Sequence, residues 1–302
     1  MTASWSDAVD EIMGGDQVVV LAHRTPAAGV VLTPLTNFRL RDRPAATATV
    51  NSSVGAPRKL QRIRADPRVA LAYHTRAHSE TDRSEFVLLQ GEAVVSAPIA
   101  DYPAHLGELW DRCDGTPPSG ALWRRWLRVY HTRSEITVTA RRALAWPDLT
   151  CRGEPEVLGE PRPGAAPPQR PPARGTGPRI DHRKLAAAIT RLPDPLLGWV
   201  GGDGLPCVVT ARLSGVTPHG FRLDAPAGLL PVGGRRAGLT ANAFTRHVLG
   251  QHQHVLTGWL DVSPDGVATY APHTRSGHHL PPSTAVYRLA AGYATRRGLR
   301  TG

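Results

Sequence analysis

Residues 47–73 read TATVNSSVGAPRKLQRIRADPRVALAY. Thr47, Thr49 and Val50 favour an extended chain, because branched side chains pack well on a pleated surface. Asn51, Ser52, Ser53, Gly55 and Pro57 supply turn chemistry. Leu60 and Ile63 give a short helix one apolar face, and Asp66-Pro67 stops it. Val69–Tyr73 is again apolar and extended. Strand, polar turn, helix and strand in this order suit an anion. Hydroxyls and amides ahead of a helix are donors, and the helix N-terminus favours negative charge. Arg58 adds a planar fork and Lys59 a compact charge. Lys59 and Lys184 are the only lysines among 36 basic residues, which singles out the ammonium at position 59.

Working outward, the chain repeats an order of elements. Trp5, Ala8, Val9, Ile12 and Met13 share one helical face, with Ser4 or Ser6 as N-cap. Leu185, Ala188, Ile189 and Leu192 do the same after Asp181. An apolar strand follows each helix, at 18–22 and 196–200, then a turn, and a return strand at 30–33 and 207–210. Val31 and Val208, Thr33 and Thr210, and Arg58-Lys59 and Arg235-Arg236 all stand 177 residues apart. Gly91 and Gly258, each opening a strand, stand 167 apart, which places a ten-residue loss in the second copy, with the loop at 76–85 as its expected place. Residues 98–113 carry helical spacing, 122–130 form an amphipathic helix with a basic face, and a strand runs over 135–140. Residues 151–182 are rich in Pro, Gly and Arg without apolar periodicity and read as an extended connector. The expected architecture is mainly β with short helices: two split β-barrel domains in tandem, 1–150 and 183–302, joined by a linker at 151–182.

The run from Asn51 to Tyr73 resembles the flavin-binding stretch of the pyridoxamine 5′-phosphate oxidase-like family, the FMN-binding split barrels. In that family a strand ends in a Thr/Asn/Ser turn, and a basic pair on the FMN phosphate follows. A short helix, an Asn/Asp-Pro-Arg-Val turn and an apolar strand complete the pattern. The resemblance places Arg58 and Lys59 on the basic pair and Asn51, Ser52 and Ser53 on the turn. Asp66-Pro67-Arg68-Val69 matches the later turn, and Gln90-Gly91-Glu92-Ala93 the strand after it. Residues around Thr33 and Thr36 would face the isoalloxazine. The Trp- and Arg-containing C-terminal signature of the vitamin B6 oxidase is not found, so the resemblance does not imply pyridoxamine phosphate as substrate. It implies an FMN-binding oxidoreductase with a small-molecule substrate. F420-dependent reductases, flavin-binding proteins without catalysis and haem-binding relatives are the alternatives. Such barrels pair with flavin at the interface, so two copies form an intrachain pseudo-dimer, or the chain forms a homodimer. Gly233-Gly234-Arg235-Arg236 lacks the Asn/Ser turn, so weaker or absent cofactor binding is expected there.

Composition narrows the classes further. The chain has 302 residues, 41% hydrophobic, with no apolar run long enough for a membrane helix. Its N-terminal stretch is acidic and lacks the order of a signal peptide, so a cytoplasmic protein is expected. The net charge of +11 is dispersed and almost wholly arginine, which argues against a nucleic-acid surface. Cys113, Cys151 and Cys207 form no CxxC pair and read as buried thiols. His247, His252 and His254, with His273, His278 and His279 beyond, have no acidic or Cys partner at ligand spacing, so no metal site is expected. No paired carboxylates or nucleophile triad stand out, and flavin chemistry does not require them.

Overall fold

The computed structural model describes residues 5–301. In the first half α1 (Asp7–Gly15) leads into β1 (Val18–Arg24), β2 (Val30–Thr36), β3 (Leu40–Asp42) and β4 (Thr47–Ser53). Next come α2 (Pro57–Ala65), β5 (Arg68–Tyr73) and β6 (Phe86–Val95). A helical insert of α3 (Tyr102–Leu106), α4 (Glu108–Asp114) and α5 (Ala121–His131) precedes β7 (Arg133–Trp146) and β8 (Glu156–Gly159). The second half runs α6 (His182–Ile189), β9 (Leu196–Val200), β10 (Pro206–Thr210), β11 (Arg212–Thr217), β12 (Gly220–Asp224), β13 (Gly233–Thr245), β14 (Leu249–Val262), β15 (Ala268–His279) and α7 (Thr284–Thr301). The Ser6 hydroxyl accepts from the Val9 amide and caps α1, while Ser4 lies outside the described residues.

The strands form two curled antiparallel sheets, ordered β2-β1-β5-β6-β7-β4-β3 and β10-β9-β13-β14-β15-β12-β11. One order maps onto the other strand for strand, so the tandem expected from the sequence is the architecture found. Gly91 and Gly258 fix the correspondence. Gly91 stands opposite Val69 and Ala140, Gly258 opposite Ala237 and Pro272, and a bulge adjoins each. A Cβ at Gly91 would lie 2.0 Å from the Thr139 carbonyl oxygen, and one at Gly258 2.2 Å from that of Ala271. Only glycine lets the strands approach so closely.

This register corrects the sequence alignment. Arg24 pairs with Val30 and Val200 with Pro206, so the hairpins correspond at an offset of 176 residues, not 177. Arg235 and Arg236 lie within β13, the counterpart of β5, and do not match Arg58 and Lys59 on α2. By the ladder Arg236 stands where Arg68 does, one residue before the partners of Gly91 and Gly258. Between β12 and β13 the chain makes no helix, so the second half has lost the basic-pair helix itself. The shortening expected at 76–85 falls mainly there. The second half also passes straight from β14 to β15, without the insert α3–α5.

Two further differences concern local structure. Gly107, at φ 57, breaks the helix read over 98–113 into α3 and α4. The stretch 151–182, read as an extended connector, contributes β8, which pairs with β7 from Ala145↔Glu156 to Arg142↔Gly159.

Trp5, Ile12, Leu21, Leu71, Leu89 and Val138 fill the first barrel. The other face of that sheet, with Val20, Ala22, Leu32, Leu88, Leu144 and Trp146, shares one core with Leu197, Leu239 and Leu256 of the second half. Burial of this apolar surface is the main force joining the halves. Their contact is reciprocal: β2 packs on β13 and β14, while β10 packs on β5 and β6. That is the geometry of an isologous dimer, here within one chain. Among the described residues no helix is long and apolar enough to cross a membrane.

Candidate functional site

The turn after β4 is where sequence and structure meet most closely. Asn51 is 2% exposed, and its Oδ1 accepts from Arg133 Nη1 at 2.7 Å. Its Nδ2 and the Arg133 Nε have no hydrogen-bond partner. Ser52 is buried in the strand. Ser53 Oγ accepts from the Gly55 amide at 3.2 Å, and the Val54 amide donates to the Thr132 carbonyl at 3.2 Å. The Arg133 guanidinium lies 4.5 Å from the Tyr130 ring and 5.0 Å from the Trp110 ring, so aromatic faces replace much of its water.

Lys59 and Arg58 open α2, whose Leu60 and Ile63 face the barrel. Lys59 is half-buried. Burial, then the charge of Arg133, pulls its ammonium down to about 8. Among the described residues no carboxylate pairs with it. His23, 2% exposed on β1, is held neutral by burial and then by Lys59 and Arg62. Arg58 is exposed and borders a surface hollow with Arg24, Thr25, Ala28 and Arg62. Arg24 in turn holds Asp66 at 3.0 Å, and Asp66 accepts both Nε and Nη2 of Arg68.

The seven residues singled out by the sequence do not fall into one pocket. Asn51 and Lys59 share the field of Arg133. Ser52 and Ser53 shape the turn. Arg58 faces the outer hollow. Thr33 lies half-buried on the edge strand β2, opposite Leu21. Thr36, at the end of β2, lies near Asp114, whose carboxyl burial raises to about 6. Asp114 belongs to a separate cavity of about 270 Å³ walled by Trp110, Tyr130, His247, Tyr287 and Arg288.

Sequence reasoning missed Arg133 and α7. Arg133 follows a helix and opens a strand, and nothing local marks it as buried. The C-terminal helix α7 crosses α5 and reaches the turn after β4. Trp126 donates to the Arg288 carbonyl at 3.2 Å, Arg296 stacks 4.1 Å from the Trp126 ring, and Tyr130 and Tyr287 share a hydrogen bond of 2.7 Å. A Cβ at Gly55 would meet Thr295 at 2.6 Å. The Arg-aromatic mixture of α5 thus serves helix packing. The three thiols are free, Cys113 and Cys151 buried and Cys207 half-buried, and burial pushes Cys151 and Cys207 up to about 11. His252 lies 5.0 Å from His254 and 4.5 Å from His279, ring to ring. Among the described residues no group of three His, Cys, Asp or Glu has the geometry to hold a metal ion.

No family model matches the chain, and no curated protein matches it. Solved structures do, each over about half its length. A Clostridium acetobutylicum protein related to general stress protein 26, of the pyridoxinephosphate oxidase family, is 10% identical. The match covers 50% of this chain and 91% of that one, with a TM-score of 0.35. A putative pyridoxamine 5′-phosphate oxidase from Listeria innocua is 16% identical, covering 47% of this chain and 98% of that one at a TM-score of 0.32. An F420 reductase is 17% identical, covering 44% and 94% at 0.33.

Proposed function

We propose that the chain is a flavin-dependent oxidoreductase that binds FMN through the first half, with Lys59, Arg133 and the turn at Asn51–Ser53 holding the phosphate and Arg58 at its outer rim. One observation carries this reading. Lys59 and Arg133 are two cations in partly desolvated surroundings, and no carboxylate pairs with Lys59 among the described residues. Burying like charges together is costly unless an anion joins them. The unpartnered Asn51 Nδ2 and Arg133 Nε beside them are donors of the kind a phosphate accepts. The residues therefore fit the anionic end of a flavin nucleotide.

The rest of the groove would run along the edge strand β2, with Val31 and Thr33 on one side. β14, which packs on β2, would face it with Thr257, whose hydroxyl lies 2.6 Å from that of Thr274 on β15. The isoalloxazine would lie along this edge, with Thr33 and Thr36 on its β2 side, and the interface between halves would exclude water from one face. Bound flavin would supply hydride and electron transfer, while the protein binds, orients and tunes it. The intrachain pairing makes the chain its own pseudo-dimer.

The test is the visible spectrum of the purified protein and its titration with FMN. Flavin absorption, or saturable uptake of added FMN, supports the reading. A protein that takes up no FMN but binds F420 or haem overturns it in favour of those cofactors.

A further inference from the structure

The pseudo-twofold relation between the halves predicts two equivalent clefts. The first would be a groove along β2, with α2 at one end. The second must lie along β10, facing β6 and β7, with the stretch between β12 and β13 in place of α2. A cavity of about 160 Å³ is found there, lined by Gln90, Trp146, Trp199, Cys207, Val209 and Leu229. Residues 162–166 of the linker also form its wall.

The linker is anchored to this place from both halves. At its entry Arg142 Nη1 donates to the Pro161 carbonyl at 3.1 Å, beside the Arg141–Glu160 ion pair at 2.7 Å. Over the cleft Arg235, 1% exposed, donates Nη1 to the Ala166 carbonyl at 3.1 Å. At its exit Gln169 is used by backbone and side chain together. Its amide donates to the Gly234 carbonyl at 2.8 Å, its Oε1 accepts from the Arg236 amide at 3.0 Å, and its Nε2 donates to the Ala28 carbonyl at 2.9 Å. The fit is close enough to require glycine beneath it. A Cβ at Gly202 would lie 2.5 Å from the Gly164 carbonyl oxygen, and one at Gly233 2.7 Å from Pro168. Prolines at 161, 163, 167 and 168 carry no amide donor and restrict the free chain, so less entropy is lost on docking.

We propose that residues 161–169 are a built-in ligand of the second cleft, sealing it so that the chain keeps one cofactor groove. The sealing stands on the contacts above. The single-groove consequence rests on the flavin reading. The second cleft has also lost the basic helix, so a phosphate finds no cradle there.

Two measurements separate these parts. In the first, residues 162–169 are replaced by a Gly/Ser segment of equal length, and tryptophan emission and acrylamide quenching are compared with the unaltered chain. Trp146 and Trp199, 2% and 5% exposed, line the cleft. A red shift with stronger quenching is expected, and unchanged emission and quenching overturn the sealing. Should that chain fail to fold, Gln169→Ala is read by hydrogen exchange at the Arg236 amide. Faster exchange is expected there, and an unchanged rate contradicts the anchoring. In the second measurement the unaltered chain is titrated with FMN. One equivalent bound per chain is expected, and two equivalents overturn the single groove. No binding at all defeats the flavin reading and leaves the fluorescence result to decide the seal.

Discussion

Arg142 on β7, 1% exposed, holds the Asp203 carboxylate in the β9–β10 turn across the boundary between the halves. The same guanidinium donates Nε to Gln90 Oε1 at 2.7 Å. By the ladder Thr274 and Ala27 occupy the corresponding positions around the other cleft, so the lock exists on the sealed side alone. Removing one member of a buried pair strands the other charge. Asp203→Ala is expected to cost about 3 kcal/mol, read as a lower urea midpoint. The double variant Arg142→Leu/Asp203→Leu should recover part of that loss. An unchanged midpoint in Asp203→Ala would show that the pair does not join the halves.

The two bulge glycines should behave alike, because they are one position seen twice. Gly91→Ala and Gly258→Ala each push a Cβ into a carbonyl oxygen of the neighbouring strand. Each is expected to cost about 3 kcal/mol, or to abolish folding. Gly177→Ala, where a Cβ meets nothing within 4 Å, is the control and should be near neutral. Thermal unfolding of the three variants decides the matter, and a tolerated Gly258→Ala would break the equivalence.

Lys59 links stability to pH with a definite sign. Its folded-state value of about 8 lies below the ordinary 10.5. Between those values the unfolded chain holds a proton that the folded chain has released. Stability of the FMN-free protein from this group therefore rises with pH across that window, and below about 8 the full cost of the buried ammonium is present. FMN affinity should run the other way, weakening as pH rises above 8 and the charge is lost. Lys59→Met should flatten the stability slope. Urea midpoints at several pH values, with FMN titrations alongside, check both signs.

Helix α7 rests on small residues, so one enlarged side chain should detach it. A Cβ at Gly292 already lies 2.3 Å from the Trp126 indole nitrogen. Gly292→Val is expected to expose Arg288 and Arg296 to trypsin while the two sheets unfold at their usual temperature. Cleavage no faster than in the unaltered chain would mean that α7 is held by other contacts.

Much of the fold was legible because it is local. The hairpins announced themselves by apolar runs around short turns, and Gly91 and Gly258 marked the same strand in each half. The error at Arg235-Arg236 arose because basic pairs are common in a chain with 36 basic residues, so a pair at a suggestive offset has little weight. The lost helix could be placed only by pairing β13 with β9, a contact made across distant sequence. Arg142 was hidden for a different reason. Ile136, Val138 and Ala140 face the first barrel, and simple alternation would send Arg142 the same way. The bulge before Gly91 reverses the phase, so Arg142 joins Leu144 and Trp146 on the face towards the second half. The basic pair of α2 was legible as chemistry, whereas its neighbour Arg133 was brought there by β7 pairing with β4.

The most direct measurement compares FMN with riboflavin, which has the same ring system and no phosphate, in titrations of the unaltered chain and of Lys59→Ala. FMN is expected to bind the unaltered chain at least about 10-fold more tightly than riboflavin does, since a hydrogen bond to a charged group contributes about 1.5–3 kcal/mol. Lys59→Ala is expected to remove most of that preference. Equal affinity for the two flavins, or a preference that survives Lys59→Ala, would contradict the placing of the phosphate at this turn.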